Sequence, residues 1–328
     1  MEERVYMVSH DDFDGIGSPI VGGIHFALKD VPFHYTCLPL KKVDKEIKSL
    51  IERVSVEGFK NARLYICDVS VNHETADLLD YLYHEGVNVR FLDHHEKNLW
   101  MNRYPWASVV TENEGGKQES ATYLFYQELT KENGGNGILA EDIIDDRLHD
   151  FAFAVREYDT WSWARDEQYG WMAKDLNDLY YLQGQKEFVQ SIEHKLRYGA
   201  DEHMFFTKEE SLLLESEKKR IAAYTDEKRK QLVKQEMLIG GTVYRVGILF
   251  AEQYISEIGH AIAKENKDLH FVVLINMGEK KLSFRTEKEL VNLNEVAGTY
   301  GGGGHPKAAG ASITMSAFKD FVMGEHLF

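Results

Sequence analysis

The chain has 328 residues, 43% of them hydrophobic, and carries 54 acidic against 38 basic side chains for a formal net charge of −16. That length suggests two domains, with enough apolar residues for a core in each. The acidic balance weighs against a protein that grips long duplex DNA or RNA, which takes many Lys and Arg contacts to phosphates, but leaves room for a short oligonucleotide held by one or two cations.

Residues 5–8 form a short apolar run rich in β-formers and predict a strand. A helix is expected over 16–28, with Pro19 tolerable only in its first turn. Residues 64–67 predict a second buried strand, in which Cys67 reads as a small buried hydrophobe. Asn72 suits the N-cap of a helix over 74–84, which Gly86 would end. Residues 87–92, with Val87, Val89 and Phe91 alternating, predict a third strand. Strands separated by helices argue for a parallel sheet built from βαβ units. Ile143, Ile144, Leu148, Phe151 and Val155 fall at helical spacing and predict a helix over 141–157. The charged stretch 187–236 has no proline and is expected to be helical throughout, with a solvated face.

The remainder reads as a separate, smaller α/β unit. Strands are expected over 243–250, 270–276 and 281–285, a helix over 255–264, and a short helix over 294–299 that opens onto Gly301-Gly302-Gly303-Gly304-His305. The expected division is 1–190 for an N-terminal parallel-sheet catalytic domain with flanking helices, 191–236 for a helical linker, and 237–328 for a substrate-binding domain. Cys37 and Cys67 make neither a disulfide framework nor a zinc motif. The N-terminus lacks a signal-like apolar segment, and no apolar run is long enough to span a membrane, so a reducing cytoplasm is the expected setting.

Acid or histidine follows each of the three apolar strands of the first domain. His10, Asp12 and Asp14 follow the first, Asp68 the second, and Asp93, His94 and His95 the third. Ligands of open parallel sheets bind outside the carboxyl ends of the strands, so these groups would converge on one edge. Carboxylates and imidazoles without thiolates suit Mn²⁺ or Mg²⁺. Crowded carboxylates repel one another unless cations neutralise them, and two divalent ions ~3.5–4 Å apart would do so while activating a water. The alternative for any one of these stretches is a plain turn after a strand; three at three strand ends are hard to explain that way.

The residues just named carry a family resemblance. His10-Asp11-Asp12-Phe13-Asp14-Gly15, Ile66-Cys67-Asp68, Asp93-His94-His95 and Arg156-Glu157-Tyr158-Asp159-Thr160-Trp161 resemble, in order, the four motifs of the DHH/DHHA1 phosphoesterase superfamily. GGGGHPKAAG at 301–310 is similar to its DHHA1 signature. Within the superfamily the chain looks most like the small oligoribonucleases called nanoRNases, B-type of bacilli. Many relatives have three residues between the first histidine and the first aspartate, where this chain has only Asp11. The resemblance implies that His10 and Asp12 hold one metal ion, that Asp14, His94 and Asp159 hold a second, and that Asp68 bridges both. It also implies that His95 reaches the scissile phosphate, while Asp93 orients a histidine from behind.

Unshielded glycine N–H groups can form a nest for an anion, and Arg285 can offer a planar fork to a phosphate. Gly302, Gly303, Gly304, His305 and Arg285 are therefore the expected substrate-binding set, with substrate between the domains. Four consecutive glycines are not expected inside a strand or helix. Trp161 and Trp163, with Tyr158 and Trp171 nearby, would serve either base stacking or the core.

The expected activity is two-metal hydrolysis of short oligonucleotides to nucleoside monophosphates, with Mn²⁺ as cofactor and Mg²⁺ as its substitute. The alternatives are a phosphatase or phosphodiesterase for 3′,5′-bisphosphonucleosides or cyclic or linear dinucleotides, and a catalytically silent nucleotide sensor. The expected partners are short single-stranded oligonucleotides or dinucleotides and a second copy of the chain in a homodimer, with no membrane and no long duplex DNA.

Overall fold

The computed structural model of the chain describes residues 3–57, 61–134, 142–164, 170–199 and 205–324. Two compact units divide it, Met1–Leu214 and Glu215–Phe328.

The first unit is built on five strands: β1 (Arg4–Ser9), β2 (Phe33–Cys37), β3 (Ala62–Cys67), β4 (Asn88–Asp93) and β5 (Ala107–Val109). All pair in parallel, in the order β2-β1-β3-β4-β5. The direction of winding reverses between β1 and β3, and at such a switch point a crevice opens at the carboxyl ends. Alternation along the strands splits the core. Tyr65 and Cys67 face one hydrophobic layer, and Leu64 and Ile66 face the other. The first layer holds α1 (Phe13–Leu28), α4 (Ala121–Glu132), α5 (Asp142–Asp159), α6 (Gly170–Gln183) and α7 (Gln185–Tyr198); the second holds α2 (Val43–Glu57) and α3 (His73–His84).

Local chemistry sets the helix starts. Asp12 caps α1, its Oδ1 accepting from Gly15 N at 2.9 Å, so the helix begins at Phe13, three residues before the expected start. Pro19 therefore lies in the second turn, not the first. Gly15 is required there, since a Cβ would stand 2.2 Å from the His10 carbonyl oxygen. Asn72 caps α3 as expected, accepting from Thr75 N, and Gly86 follows the helix with φ +88°. The helix expected over 141–157 is α5; residue 141 lies outside the described residues, and two more residues at the other end bring Asp159 to the last position.

The boundary between the units falls within α8 (Lys208–Arg229). Helix does not continue to residue 236. β6 (Val233–Ile239) pairs antiparallel with β7 (Thr242–Phe250) across Gly240-Gly241, both at positive φ. Such a two-residue glycine turn makes a hairpin, a signal that outweighs the charge of the preceding stretch. The second unit also contains α9 (Ile255–Glu265), β8 (Phe271–Asn276), β9 (Lys281–Arg285), α10 (Leu293–Gly298), β10 (Gly303–Gly304) and β11 (Ala308–Ser312). Its sheet runs β10-β11-β9-β8-β7-β6 and is antiparallel except where β7 meets β8. The glycine run thus does contain a short strand, contrary to expectation. Glycine permits it through close approach: a Cβ on Gly302 would lie 2.1 Å from the Gly310 oxygen, and one on Gly304 2.6 Å from Ala309 Cα.

Candidate metal centre

The structure brings His10, Asp12, Asp14, Asp68, Asp93, His94, His95 and Asp159 into three overlapping groups. These are His10 with Asp12 and Asp68; Asp14 with His94 and Asp159; and Asp68 with Asp93, His94 and His95. Within each group the donor atoms lie within 4.8 Å of one another. The donors are those a hard or borderline divalent cation takes.

Asp68 sits at the centre. It follows β3 with φ +56°, a left-handed conformation that points its carboxylate across the sheet edge. Its Oδ2 is 3.7 Å from His10 Nδ1, and its Oδ1 is 3.6 Å from His94 Nε2. Each oxygen thus faces a different group. Asp68 Oδ2 and His94 Nε2 are buried and have no hydrogen-bond partner. Burial pushes the Asp68 carboxyl far above the usual range, and the like charges of Asp12, Asp14, Asp159 and Asp93 push the same way. Orphaned buried atoms in a repelling carboxylate cluster are what a cation would satisfy, so these residues fit a bound metal.

The second group is preorganised. Asp14 accepts from the backbone N–H of Ala121 at 2.7 Å and of Thr122 at 2.9 Å, at the start of α4. The backbone N–H groups of the helix N-terminus therefore hold this carboxylate oriented. His94 Nε2 stands 3.4 Å from Asp159 Oδ2 and 3.7 Å from Asp14 Oδ2. Burial alone would lower the His94 pKa, but Asp159, Asp14, Asp93 and Asp12 outweigh it and raise it. Desolvation lifts the Asp159 carboxyl to about 7 against the pull of His94. In the first group His10 Nδ1 lies 2.7 Å from Asp12 Oδ2.

His95 stands at the edge of the third group, its Nδ1 3.9 Å from Asp68 Oδ1. Its side chain is 33% exposed, and its Nδ1 bonds Asp93 Oδ1 at 2.9 Å. Asp93 is fully buried; burial would raise its carboxyl, but the bond to His95 outweighs it and holds it below the usual range.

Sequence reasoning missed several supports. Asn98 Nδ2 approaches Asp93 Oδ2, the Val69 carbonyl at 3.1 Å and Ser70 Oγ at 2.9 Å, so it ties the turn after Asp68 to the Asp93–His95 pair. Tyr180 donates to the Asp11 carbonyl at 2.6 Å and steadies the loop between His10 and Asp12. Thr122 Oγ1 donates to the Asp14 carbonyl at 2.6 Å. The spacing Asp93-x₄-Asn98 was visible but carries no signal without the fold. Of the aromatic residues, Tyr158 stacks on Trp163 at 6.2 Å and both pack against the core, whereas Trp171 is half exposed.

In the second unit the expected nest is partly closed. The Gly301, Gly302 and Gly304 N–H groups donate to the Gly298 carbonyl, the Ala297 carbonyl and Asn294 Oδ1. Arg285 Nη2 donates to Ser256 Oγ at 3.0 Å. Gly259 makes space for its stem, since a Cβ there would lie 2.6 Å from Arg285 Cγ. His305 is exposed at the turn between β10 and β11.

The DHHA1 domain family matches residues 251–323. Over 317 residues, 97% of this chain and 75% of the relative, the sequence is 34% identical to oligoribonuclease NrnB of Bacillus subtilis (strain 168). The fold is similar to that of RecJ from Thermus thermophilus in complex with Mn²⁺, with TM-score 0.54 and 14% identity over 97% of this chain and 51% of RecJ. It is also similar to that of PggH, a pGpG-specific phosphodiesterase from Vibrio cholerae, with TM-score 0.53 and 11% identity over 98% of this chain and 97% of PggH. Among the described residues, no helix is long and apolar enough to cross a membrane.

Proposed function

The chain belongs to the DHH/DHHA1 phosphoesterase superfamily and is a phosphoesterase; from that premise we propose that it is an exonuclease hydrolysing short oligonucleotides to nucleoside monophosphates with two Mn²⁺ ions. The observation that carries this reading is Asp68, whose two oxygens face two separate His and Asp groups. His10 and Asp12 would hold one ion and Asp14, His94 and Asp159 the other, with Asp68 shared between them. When bound, such ions supply Lewis acidity toward a phosphoryl oxygen and toward water.

The chain's own residues do the rest. The α4 amides keep Asp14 aimed, so the site is set before substrate arrives. Asp93 fixes the ring of His95, which donates to the scissile phosphate or to the leaving oxygen. In the second unit Arg285 and His305 bind a phosphate of the substrate through their side chains, because three of the glycine amides are already engaged. The net charge of −16 supports short substrates over long polyanions, and free Cys37 and Cys67 accord with a reducing cytoplasm.

Labelled dinucleotide, pentanucleotide and 3′,5′-bisphosphonucleoside, each with Mn²⁺, test this. The oligonucleotides should run down to mononucleotides faster than the bisphosphonucleoside is dephosphorylated. Rapid turnover of the bisphosphonucleoside alone would replace the exonuclease with a nucleotide phosphatase. A preference confined to dinucleotides, the class on which PggH acts, would narrow it to a dinucleotide phosphodiesterase.

A further inference from the structure

Among the described residues, a cluster of cations stands unneutralised at the sheet edge that carries the metal centre. β2 runs parallel to β1 with Cys37 opposite Ser9. Past these residues the two segments stay together, Leu38 N donating to the Ser9 carbonyl at 3.1 Å just before His10. Lys41 and Lys42 then lie in a 3-10 turn (Leu40–Lys42), and Lys45 lies in the first turn of α2. All three are exposed, and among the described residues none has an ion-pair or hydrogen-bond partner for its ammonium group.

Three unpaired cations gathered within about a turn of so acidic a chain need a reason. The acids on the same turn are committed elsewhere. Asp44 Oδ1 accepts from Asn72 N at 3.0 Å, and Glu46 pairs with Arg53 at 3.0 Å. Lys48, one turn further, pairs with Glu74 at 2.8 Å. Three positive charges within about a turn repel one another, and they stand at the positive end of α2, where acids are preferred. A local electrostatic cost with no structural return points to a functional position.

We infer that Lys41, Lys42 and Lys45 form a subsite for the phosphodiester backbone of an oligonucleotide beyond its scissile linkage. The inference rests on the exonuclease reading. Ammonium groups on flexible stems neutralise phosphates without reading bases, which suits a strand of any sequence. A dinucleotide has one phosphodiester, which the metal centre takes; only longer substrates carry phosphates that reach the lysines. The subsite thereby sets chain-length preference.

Three proteins are compared on dinucleotide and pentanucleotide across a salt series: wild type, Lys41→Ala/Lys42→Ala, and Lys29→Ala/Lys131→Ala. The last has the same net charge but loses lysines at the C-terminal ends of α1 and α4, away from this edge. In Lys41→Ala/Lys42→Ala the ratio of pentanucleotide to dinucleotide kcat/KM should fall at least tenfold, mostly through KM. The salt dependence of log KM should flatten by about 0.7 per lost contact. Adding Lys45→Ala should lower the ratio further. An unchanged ratio and slope, or an equal fall in Lys29→Ala/Lys131→Ala, overturns the subsite. A wild-type protein that turns over bisphosphonucleoside but no oligonucleotide instead overturns the exonuclease reading on which it rests.

Discussion

Asp68 and His94 meet without bonding: Oδ1 of one lies 3.6 Å from Nε2 of the other, inside a buried carboxylate cluster. Asp68→Asn isolates what that geometry is for. Asn tolerates the left-handed backbone at this position, so the turn survives while the charge is lost. Without metal the variant should melt no lower than wild type, because a like charge has left the cluster. Saturating Mn²⁺, worth ~2.7 kcal/mol at a hundredfold excess over Kd, should raise its Tm far less, and hydrolysis should disappear. Full Mn²⁺ stabilisation of a folded Asp68→Asn protein would exclude a bridging carboxylate.

His94 and His95 are neighbours in different settings, the first buried and the second 33% exposed. His95→Ala should bind Mn²⁺ almost normally yet turn over ~10²–10⁴-fold more slowly, the usual cost of a lost donor. His94→Ala should lose occupancy at the second group. Calorimetric titration of both variants decides the matter; loss of an ion in His95→Ala but not in His94→Ala reverses the two roles.

Asn98 has an internal control one turn further along the same 3-10 helix (Glu96–Arg103). Asn102 clamps Val109 through both its amide atoms, donating at 2.9 Å and accepting at 2.7 Å. Each Asn→Ala change should lower stability by roughly 1–3 kcal/mol for the buried groups left unpaired. Only Asn98→Ala should also reduce kcat, since only Asn98 touches the Asp93–His95 pair and the turn after Asp68. Equal kcat in the two variants would reduce Asn98 to a structural clamp.

Arg285→Ala and His305→Ala should damage oligonucleotide turnover more than hydrolysis of bis-p-nitrophenyl phosphate. Losing a charged donor to a phosphate costs ~1.5–3 kcal/mol, about ten- to a hundredfold in the ratio of the two kcat/KM values. Measuring both substrates on one preparation removes folding as an explanation. A constant ratio assigns both residues to the fold of the second unit.

Glu210 sets a pH dependence away from the metal centre. Burial would raise its carboxyl, but hydrogen bonds from Lys195, the Thr207 segment and Gln183 outweigh it and hold it below its ordinary value of 4.5. A group depressed in the folded state stabilises fully above its unfolded pKa and loses that contribution as pH falls through the folded value. Denaturant unfolding of wild type should therefore weaken more steeply below about pH 4.5 than that of Glu210→Gln. Above that pH the variant should be the weaker, by about 3–5 kcal/mol if Lys195 keeps its buried charge. Parallel pH profiles for the two proteins would remove Glu210 from the balance.

Much was already legible in the residue order. The continuous apolar run at 64–67 foretold a strand buried on both faces, and the alternation of Val87, Val89 and Phe91 foretold another. Asn72 and Gly86 marked the ends of a helix through local hydrogen bonding and backbone freedom alone. Acid and histidine at three strand ends pointed to one edge, because parallel strands share a direction. Other features depend on contacts between segments distant in sequence. The start of α4 could not be tied to Asp14, 107 residues earlier, until the chain folded. Asn98 looked like any polar residue until it stood against both Asp93 and the turn after Asp68. The glycine run showed the same limit: composition suggested a nest of free amides, whereas the Gly298 and Ala297 carbonyls and the Asn294 side chain engage three of them. Local rules settle which residues can cap, turn or alternate; only tertiary packing decides which buried polar atoms find hydrogen-bond partners and which, like Asp68 Oδ2, do not.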